Sequence, residues 1–396
     1  MNFSVPFLCS LLMSATLGWS YQKTDKPEGW ASQSGGTTGG AGGTEVTVST
    51  MADLQTQAKS SGKKIILVSK GTYTGKLTLA SDKSILGKEP GVMIKGSMSI
   101  SAVSNVIIRN LSVQSDKCGT YDECKEGVGA INVNNEANHI WLDHLDVSDG
   151  QDGNCDISNG SDFVTVTWCK FSYTYDKEHR FSNLIAGDDN VAIDKGKLSI
   201  TYAYCWWADR VVERQPRGRA GKVHVVNNLY TSGATNYVCG PGVDIQMLIE
   251  NNNMKTQGTA IKPFEGTPAP AYKSIGNIGT AKDIGISSGT VFTPPYTLTL
   301  KMAAADVEAK VRPGAGNTMT LGPDPTPLLS AGNRGQAPFV ASTSGGYRLY
   351  NPGADAVKFE IVAANGRVVV ASSLLKAGHS IALPGLSDGL RVRFLD

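Results

Sequence analysis

The segment from Glu213 to Asn228 contains the side chains with the clearest chemical potential in this chain. Three arginines, at positions 214, 217 and 219, precede an apolar Val-His-Val run that ends in two asparagines. Guanidinium groups bind carboxylates through two parallel hydrogen bonds. Beside a rigid strand, the cluster could hold an acidic polymer in one register; in a solvated turn it would be only a charged surface.

The order of residues in this segment is specific. Arg-x-Pro-Arg-x-Arg-x-Gly followed by Val-His-Val and Asn-Asn resembles the signature of the pectate lyase family, polysaccharide lyase family 1. Further stretches follow the family's order: Gly-Trp-Ala and Thr-Thr-Gly-Gly-Ala-Gly-Gly within 29–43, Trp141-Leu142-Asp143-His144, Asp152-Gly153-x-x-Asp156, and Leu184-Ile185 before Gly-Asp-Asp. The resemblance spans 28–315. It implies a pectate lyase that cleaves α-1,4-linked polygalacturonate by calcium-assisted β-elimination, giving 4,5-unsaturated oligogalacturonides.

The resemblance also implies a calcium site. Asp152 and Asp156 occupy the positions of the family's Asp-Gly-x-x-Asp ligands, and carboxylate oxygens suit a hard cation such as Ca²⁺. A customary third ligand is missing, because the family's aspartate before Ala-Ile is Gly129 in this chain. We expect Glu126 or Asp122 from the preceding loop, or the substrate's own carboxylate, to complete the site.

Two other interpretations of the same acidic segment were possible. The alternation Asp152-x-Asn154-x-Asp156 opens like an EF-hand loop, but Ile157 replaces the glycine at the sixth position and Phe163 the glutamate at the twelfth. The EF-hand is therefore excluded. An ordinary solvated Asp-Gly turn stays open as an alternative.

The same residue-by-residue match implies that Arg214 is the base that removes the C5 proton and that Arg219 holds a substrate carboxylate. Because an arginine side chain ordinarily has a pKa above about 12, an alkaline optimum is expected. Arg217 is expected to hold either its own loop or the substrate. The family's substrate-binding lysine matches Lys177, and Arg180 in the lengthened segment that follows is the alternative.

Three competing functions remain. A pectin lyase acting on methyl-esterified pectin would explain the altered ligand set, but the retained Asp152 and Asp156 oppose a neutral ester cleft. A hydrolase of the polygalacturonase kind needs paired carboxylates, for which Asp188 and Asp189 are the candidates, without the accompanying arginine and lysine pattern. A non-catalytic β-helix binding protein or adhesin would have no use for the arginine cluster.

The elements that must position these residues are short β-branched runs, each typical of a strand. They span 105–113, 139–147, 163–171, 198–206, 223–230 and 245–252. Apolar positions recur across them in steps from Leu111 to Leu145, Val166 to Ile200, Ile200 to Val225, and Val225 to Leu248. Apolar positions that recur every few tens of residues indicate a solenoid, in which each repeat forms one coil.

No long stretch of helical periodicity separates these runs, so stacked coils explain them better than crossover helices. We therefore predict an all-β protein, a right-handed single-stranded parallel β-helix. The asparagines at 227–228 and 251–253 suit either stacked amide ladders at coil corners or ordinary turns. The resemblance favours ladders.

Composition changes divide the chain into four predicted parts: a signal peptide at 1–20, the β-helix domain at 21–315, a proline- and glycine-rich linker at 316–345, and a C-terminal module at 346–396. Short alternating segments between Asn-Pro-Gly, Ala-Asn-Gly and Ser-Asp-Gly turns predict a small β-sandwich for the module. It weakly resembles modules that sort secreted bacterial enzymes or attach them to a surface; a carbohydrate-binding role is the alternative.

The apolar run from Val5 to Leu17 predicts a secretory signal peptide, although only the α-amino group supplies positive charge before it. The run is too short for a comfortable membrane span. We expect a secreted protein, either extracellular or at the cell surface. Six cysteines remain after cleavage, and of their fifteen possible pairings we expect Cys118 with Cys124.

Length and charge agree with this interpretation. With 396 residues and 18% charged residues, the chain can bury a large core, and its net charge of +2 implies no nucleic-acid partner. We expect a monomer whose partner is polygalacturonate or pectin and whose cofactor is Ca²⁺.

Overall fold

A computed structural model of the protein describes residues 19–322, 339–343, 346–350, 357–363, 368–376, 380–383 and 390–395. The predicted signal peptide lies outside the described residues except for its last two positions. Residues 323–338 and 344–345 of the predicted linker also lie outside them.

Strands dominate the described residues. They are β1 (Trp19–Tyr21), β2 (Thr44–Val48), β3 (Lys64–Val68), β4 (Gly71–Thr78), β5 (Lys83–Gly87), β6 (Val92–Ser101), β7 (Ser104–Gln114), β8 (Ile131–Asn134), β9 (Asn138–Ser148), β10 (Cys155–Ile157), β11 (Asp162–Thr167), β12 (Lys170–Ser172), β13 (Leu184–Ile185), β14 (Ser199–Ala203), β15 (Trp206–Trp207), β16 (Arg217–Val226), β17 (Leu229–Tyr230), β18 (Tyr237–Glu250), β19 (Asn253–Met254), β20 (Thr259–Ile261), β21 (Ala271–Ile275), β22 (Ile278–Gly279), β23 (Met319–Leu321), β24 (Phe339–Thr343), β25 (Gly346–Tyr350), β26 (Val357–Ala363), β27 (Val368–Leu375), β28 (Ser380–Leu383) and β29 (Leu390–Leu395). The helices are α1 (Met51–Lys59), α2 (Tyr121–Lys125) and α3 (Val307–Gly314), with short 3₁₀ turns at Gly29–Ser32 and Ala304–Asp306.

From β2 to β22 each strand pairs in parallel with the strand one coil later, which confirms the right-handed parallel β-helix. One of its faces carries the residues singled out above. It consists of β6, β8, β10, β13, the first residues of β16 and β18, and β20, paired in that order. We call its outward side the site face.

The register of the coils confirms one predicted step and corrects the others. Leu111 pairs with Leu145 as expected. The remaining pairs are Val164 with Ile200, Ile200 with Val223, and Val225 with Ile249. Corner loops differ in length between coils, so matching apolar residue types alone cannot set the register. A register error of two residues leaves the same side chains pointing inward. The error of one residue at Leu248 instead assigns inward-facing side chains to the outer face of the strand.

An amide ladder runs through the corners of the last coils, as predicted. Asn228 donates from Nδ2 to Asn252 Oδ1 at 3.0 Å, and Asn252 donates from Nδ2 to Asn277 Oδ1 at 2.9 Å. Each of these oxygens also accepts a backbone N–H from the preceding coil, as from Cys205 to Asn228 at 2.7 Å. Buried corner amides are therefore satisfied without secondary-structure partners.

The predicted disulfide between Cys118 and Cys124 is present. It closes a loop around α2 beside the site face. The other four cysteines of the described residues, at 155, 169, 205 and 239, are free and buried in the core. They act as small apolar side chains inside the coils.

Arg109 and Asp143 form a buried ion pair on another face of the β-helix. Arg109 Nε donates to Asp143 Oδ2 at 2.8 Å, and Arg109 Nη1 reaches Asp25 at 3.0 Å. Burial opposes ionisation of Asp143, but His144 and Arg109 outweigh it and lower the pKa of this carboxyl to about 2. Asp143 and His144 thus serve structure in this buried cluster.

Asp143→Asn is therefore expected to lower the free energy of unfolding by about 3–5 kcal/mol at neutral pH, because it leaves Arg109 partly uncompensated. The depressed pKa contributes stability that is present above about pH 4 and is lost as pH falls toward about 2. Thermal unfolding across this acid range should show a flatter pH dependence in the variant than in the natural protein. Equal slopes would contradict the assignment.

The C-terminal segments form two three-stranded antiparallel sheets, with strand orders β24-β25-β28 and β27-β26-β29. Leu349 and Phe359 are buried. Strands β23 and β24 lie inside the range predicted as linker. Within the described residues, no helix is long and apolar enough to cross a membrane.

Candidate functional site

The site face places acidic and basic candidates in one outward column, because it stacks them in register. Asn132 pairs with Asp156, and Leu184 pairs with Arg217. Ile157 pairs with Ile185, so Asp156 is adjacent to Leu184 on the next coil. Acidic and basic groups separated by 61 positions in the sequence are therefore only two coils apart, roughly 10 Å.

The acidic part of the site is formed by Asp152 and Asp156, in and after the turn that joins β9 to β10. Asn154 holds this turn by accepting the Gly150 N–H at 3.0 Å. Burial raises the pKa of Asp156 to about 7; the backbone N–H of Leu184, at 2.8 Å from Oδ1, opposes this shift, Asp152 adds to it, and Arg214 opposes it. Two adjacent carboxylates repel each other when both are ionised. A cation bound between them would therefore stabilise the ionised pair.

Glycines leave space around these carboxylates. A Cβ atom on Gly153 would lie 2.7 Å from both carboxylate oxygens of Asp156, and one on Gly129 would lie 3.0 Å from Asn132 Oδ1 and 3.2 Å from the Gly153 carbonyl. The missing Cβ atoms keep a pocket of oxygen atoms open. The donor set therefore fits a hard divalent cation.

Glu126 and Asp122 do not complete a carboxylate cluster. Both are exposed, and Glu126 is the C-terminal capping residue of α2. Across the described residues, no three His, Cys, Asp or Glu side chains converge to hold a metal ion. The protein thus offers two carboxylates at this point.

His179 is a neighbour of the site that the sequence analysis did not identify. Its Nε2 lies 3.2 Å from Asp152 Oδ1, and its ring is buried between Tyr121 and Phe181, with centroid distances of 5.2 and 4.3 Å. A signal for it existed in the sequence, since the lengthened segment after Lys177 carries a histidine and a phenylalanine two residues apart.

Arg214 lies in the turn before β16 with a left-handed backbone, φ +60°. Its guanidinium carbon lies 4.8 Å from the centre of the Phe181 ring. Its Nε is buried and has no hydrogen-bond partner among the described residues. The Phe181 ring thus holds the guanidinium of Arg214 through a cation–π contact.

Arg217 and Arg219 follow on the outward side of β16. Arg217 stacks on Phe264 at 4.0 Å, and burial lowers its pKa, with Arg219 and Arg214 adding to the shift. Arg219 donates to Asp189 at 2.5 Å and to the Ala186 carbonyl at 3.0 Å. Asp189 is largely exposed, so this pair holds Arg219 only weakly.

Lys177 and Arg180 make other contacts. Lys177 Nζ is buried beneath the turn and donates to the carbonyls of Gly150 and Gln151 at 2.6 and 2.7 Å. Burial lowers the pKa of Lys177 to about 8. Arg180 pairs with exposed Asp176. In this structure Lys177 braces the turn between β9 and β10 through these carbonyl contacts.

Comparison with known proteins gives consistent results. A family model described as pectate lyase matches residues 7–317. A pectate lyase of Emericella nidulans is 36% identical over 307 residues, covering 73% of this chain and 87% of that protein. A pectate trisaccharide-lyase of Thermotoga maritima is 33% identical over 260 residues, covering 61% of this chain and 68% of that protein.

Solved structures agree on the fold. The pectate lyase from Bacillus sp. N165, in complex with trigalacturonate, matches with a TM-score of 0.62 at 24% identity, covering 73% of this chain and 98% of that one. A pectate lyase bound to a hexasaccharide matches with a TM-score of 0.64 at 22% identity, covering 76% and 99%.

Proposed function

This chain belongs to the pectate lyase family, and from that premise we propose that it cleaves de-esterified α-1,4-linked polygalacturonate by calcium-assisted β-elimination with Arg214 as the base. The observation that carries this proposal is the site face itself. A pair of partly buried carboxylates there lies beside three arginines, of which only Arg219 forms an ion pair among the described residues.

The reaction breaks the C5–H and C4–O bonds and forms a C4=C5 double bond, a bond between the base and the proton, and an O–H bond on the leaving oxygen. A base removes the proton from C5, the electron pair forms a double bond between C4 and C5, and the glycosidic oxygen leaves C4 and takes up a proton from solvent. The difficulty is the weak acidity of C5. Groups that stabilise negative charge on the neighbouring carboxylate lower this barrier.

Two features support Arg214 as the base. Its side chain is anchored on Phe181 and points to the same face as Asp156, while its buried Nε has no partner to neutralise or occupy it. A neutral guanidine is scarce near neutral pH, so the activity should increase under alkaline conditions. Arg219 would exchange exposed Asp189 for the substrate carboxylate, and Arg217 would add positive charge beside it.

Asp152 and Asp156 would hold the calcium ion, together with backbone oxygens, water and the substrate's carboxylate. When bound, calcium acts as a Lewis acid that stabilises the charge developing next to C5. The protein itself places His179 beside Asp152 and keeps Asp156 in place through the Leu184 N–H. Substrate participation compensates for the ligand lost at Gly129.

The alternative substrate is methyl-esterified pectin. The two carboxylates argue against it. A neutral ester carries no negative charge, so it cannot take the place of the missing third carboxylate ligand of the cation. For the hydrolase, the candidate Asp189 is an exposed side chain paired with Arg219, and the arginine cluster beside it has no role in glycoside hydrolysis by paired carboxylates. We also propose that the protein is secreted, in agreement with the Cys118–Cys124 disulfide, which is typical of oxidising compartments.

Purified protein mixed with polygalacturonate at alkaline pH should produce the ultraviolet absorbance of an unsaturated uronide. Chelator should abolish this signal and added calcium should restore it. New reducing ends without ultraviolet absorbance would indicate hydrolysis. Activity on methylated pectin that survives chelation would support the pectin lyase alternative.

A further inference from the structure

A second group of cations continues the site face beyond Arg217. Lys262 follows β20, and its backbone N–H donates to the Cys239 carbonyl at 2.9 Å. Cys239 pairs with Ile261, so Lys262 lies beside Gly240, and Gly240 in turn pairs with Arg217. The outward column therefore continues from Arg217 across Gly240 to Lys262.

Both cations rest on the same aromatic platform. Arg217 lies 4.0 Å from the centre of the Phe264 ring, and Lys262 Nζ lies 5.5 Å from Phe264 and 5.3 Å from Tyr237. The two rings meet edge to face at 5.5 Å. An aromatic ring attracts a cation to its face. The side of the cation that points away from the ring remains free to bind an anion.

Neither of these two cations forms a direct ion pair with a carboxylate among the described residues, although Asp189 attracts Arg217 from a greater distance. Among the ion pairs of the described residues, neither Arg217 nor Lys262 has a partner. Lys262 is exposed, and Arg217 already carries the repulsion of Arg214 and Arg219. Like charges held together without a direct ion-pair partner favour the binding of an anion that spans them.

Gly240 lets the two aromatic rings and Arg217 pack directly against the backbone. A Cβ atom there would lie 2.9 Å from Tyr237 Cε2, 3.0 Å from Phe264 Cε2 and 3.1 Å from Arg217 Cγ. Any larger residue would displace the rings or the arginine. The close packing at Gly240 therefore fixes the position of the aromatic rings that carry the two cations.

We propose that Lys262 and Arg217, supported by Phe264, form a distal subsite that binds the carboxylate of a uronate residue beyond the point of cleavage. The inference rests on the proposed function and extends it to chain length. Lys262 lies two coils past Arg217, roughly 10 Å at the usual strand spacing, and four coils past Asp156, roughly 19 Å. Only an oligomer long enough to span these coils reaches Lys262.

The test compares Lys262→Gln with the natural protein on trigalacturonate, hexagalacturonate and polymer. We expect KM to increase about fivefold for the long substrates, the contribution of one exposed charge pair, with unchanged kcat and a smaller effect on the trimer. Lys262→Arg should retain the long-chain KM. Lys273→Gln, an exposed lysine on β21 in another sheet, is the matched control and should change nothing.

If Lys262→Gln raised KM equally at every chain length, or at no chain length, the proposed subsite would be overturned. Phe264→Leu provides a second check, since loss of the platform should raise the long-chain KM even with both cations present. Direct calorimetric binding of polygalacturonate to each variant separates this inference from the lyase assignment. If the natural protein binds but never eliminates, and Lys262→Gln binds long chains less tightly, the subsite survives and the lyase proposal fails.

Discussion

Arg214→Lys is expected to reduce kcat by about 10³-fold while KM changes little, because the positive charge remains but the base is lost. The guanidinium over Phe181 presents its nitrogens in a fixed plane. A lysine ammonium is a compact point charge on a flexible stem and cannot reproduce that geometry. Initial rates of ultraviolet absorbance on polygalacturonate, over a range of substrate concentrations, separate the two constants.

Arg210→Lys is the matched control. Arg210 is also an arginine with a left-handed backbone, φ +63°, a few residues before Arg214, but it is exposed and faces Asp176 at 3.6 Å. Its substitution should leave both constants near those of the natural protein. If Arg214→Lys increases KM with kcat intact, Arg214 binds substrate and another group removes the proton.

Asp156→Asn is expected to weaken calcium binding by at least about 100-fold, since even indirect partners of metal ligands commonly contribute 10-fold to 100-fold. One of two carboxylates is removed, and Asp152 alone holds the cation poorly. Calorimetric titration with calcium measures this directly. In thermal unfolding, calcium should stabilise the natural protein but not the variant.

The same variant should behave differently without calcium. At a pH above about 7, Asp156 is ionised although burial, and to a lesser degree Asp152, opposes its charge, and asparagine removes that cost. The calcium-free variant should therefore melt at a temperature equal to or above that of the natural protein. Asp283→Asn, an exposed aspartate near the end of the stack, is the control. A variant that keeps its calcium affinity would place the ion elsewhere.

The sequence supported the class of fold better than its register. Recurring β-branched runs and the absence of helical periodicity were enough to predict stacked parallel coils. The step from Leu111 to Leu145 was correct, whereas Val225 pairs with Ile249 and not with Leu248. Corner loops of unequal length shift the pairing, and this length is set by packing at the corners rather than by any local pattern.

The same distinction between what the sequence predicts and what it does not applies to the candidate site. The positions of Asp152, Asp156 and the three arginines follow a local spacing, so they could be identified from residue order alone. His179, Phe181 and Phe264 contact them only because coils of different lengths bring distant residues together. Phe264 lies 47 positions after Arg217, yet their side chains are 4.0 Å apart.

By itself, the sequence determined the stacked-coil architecture, the family resemblance and the types of reactive side chains, because these depend on local period and spacing. Only the tertiary structure decided which partners those side chains have. It showed Lys177 bound to backbone carbonyls, Glu126 exposed at the end of α2, and Lys262 in line with Arg217. The physical reason is register: each coil contributes one outward residue to a column, and the length of every preceding corner determines which residue it is.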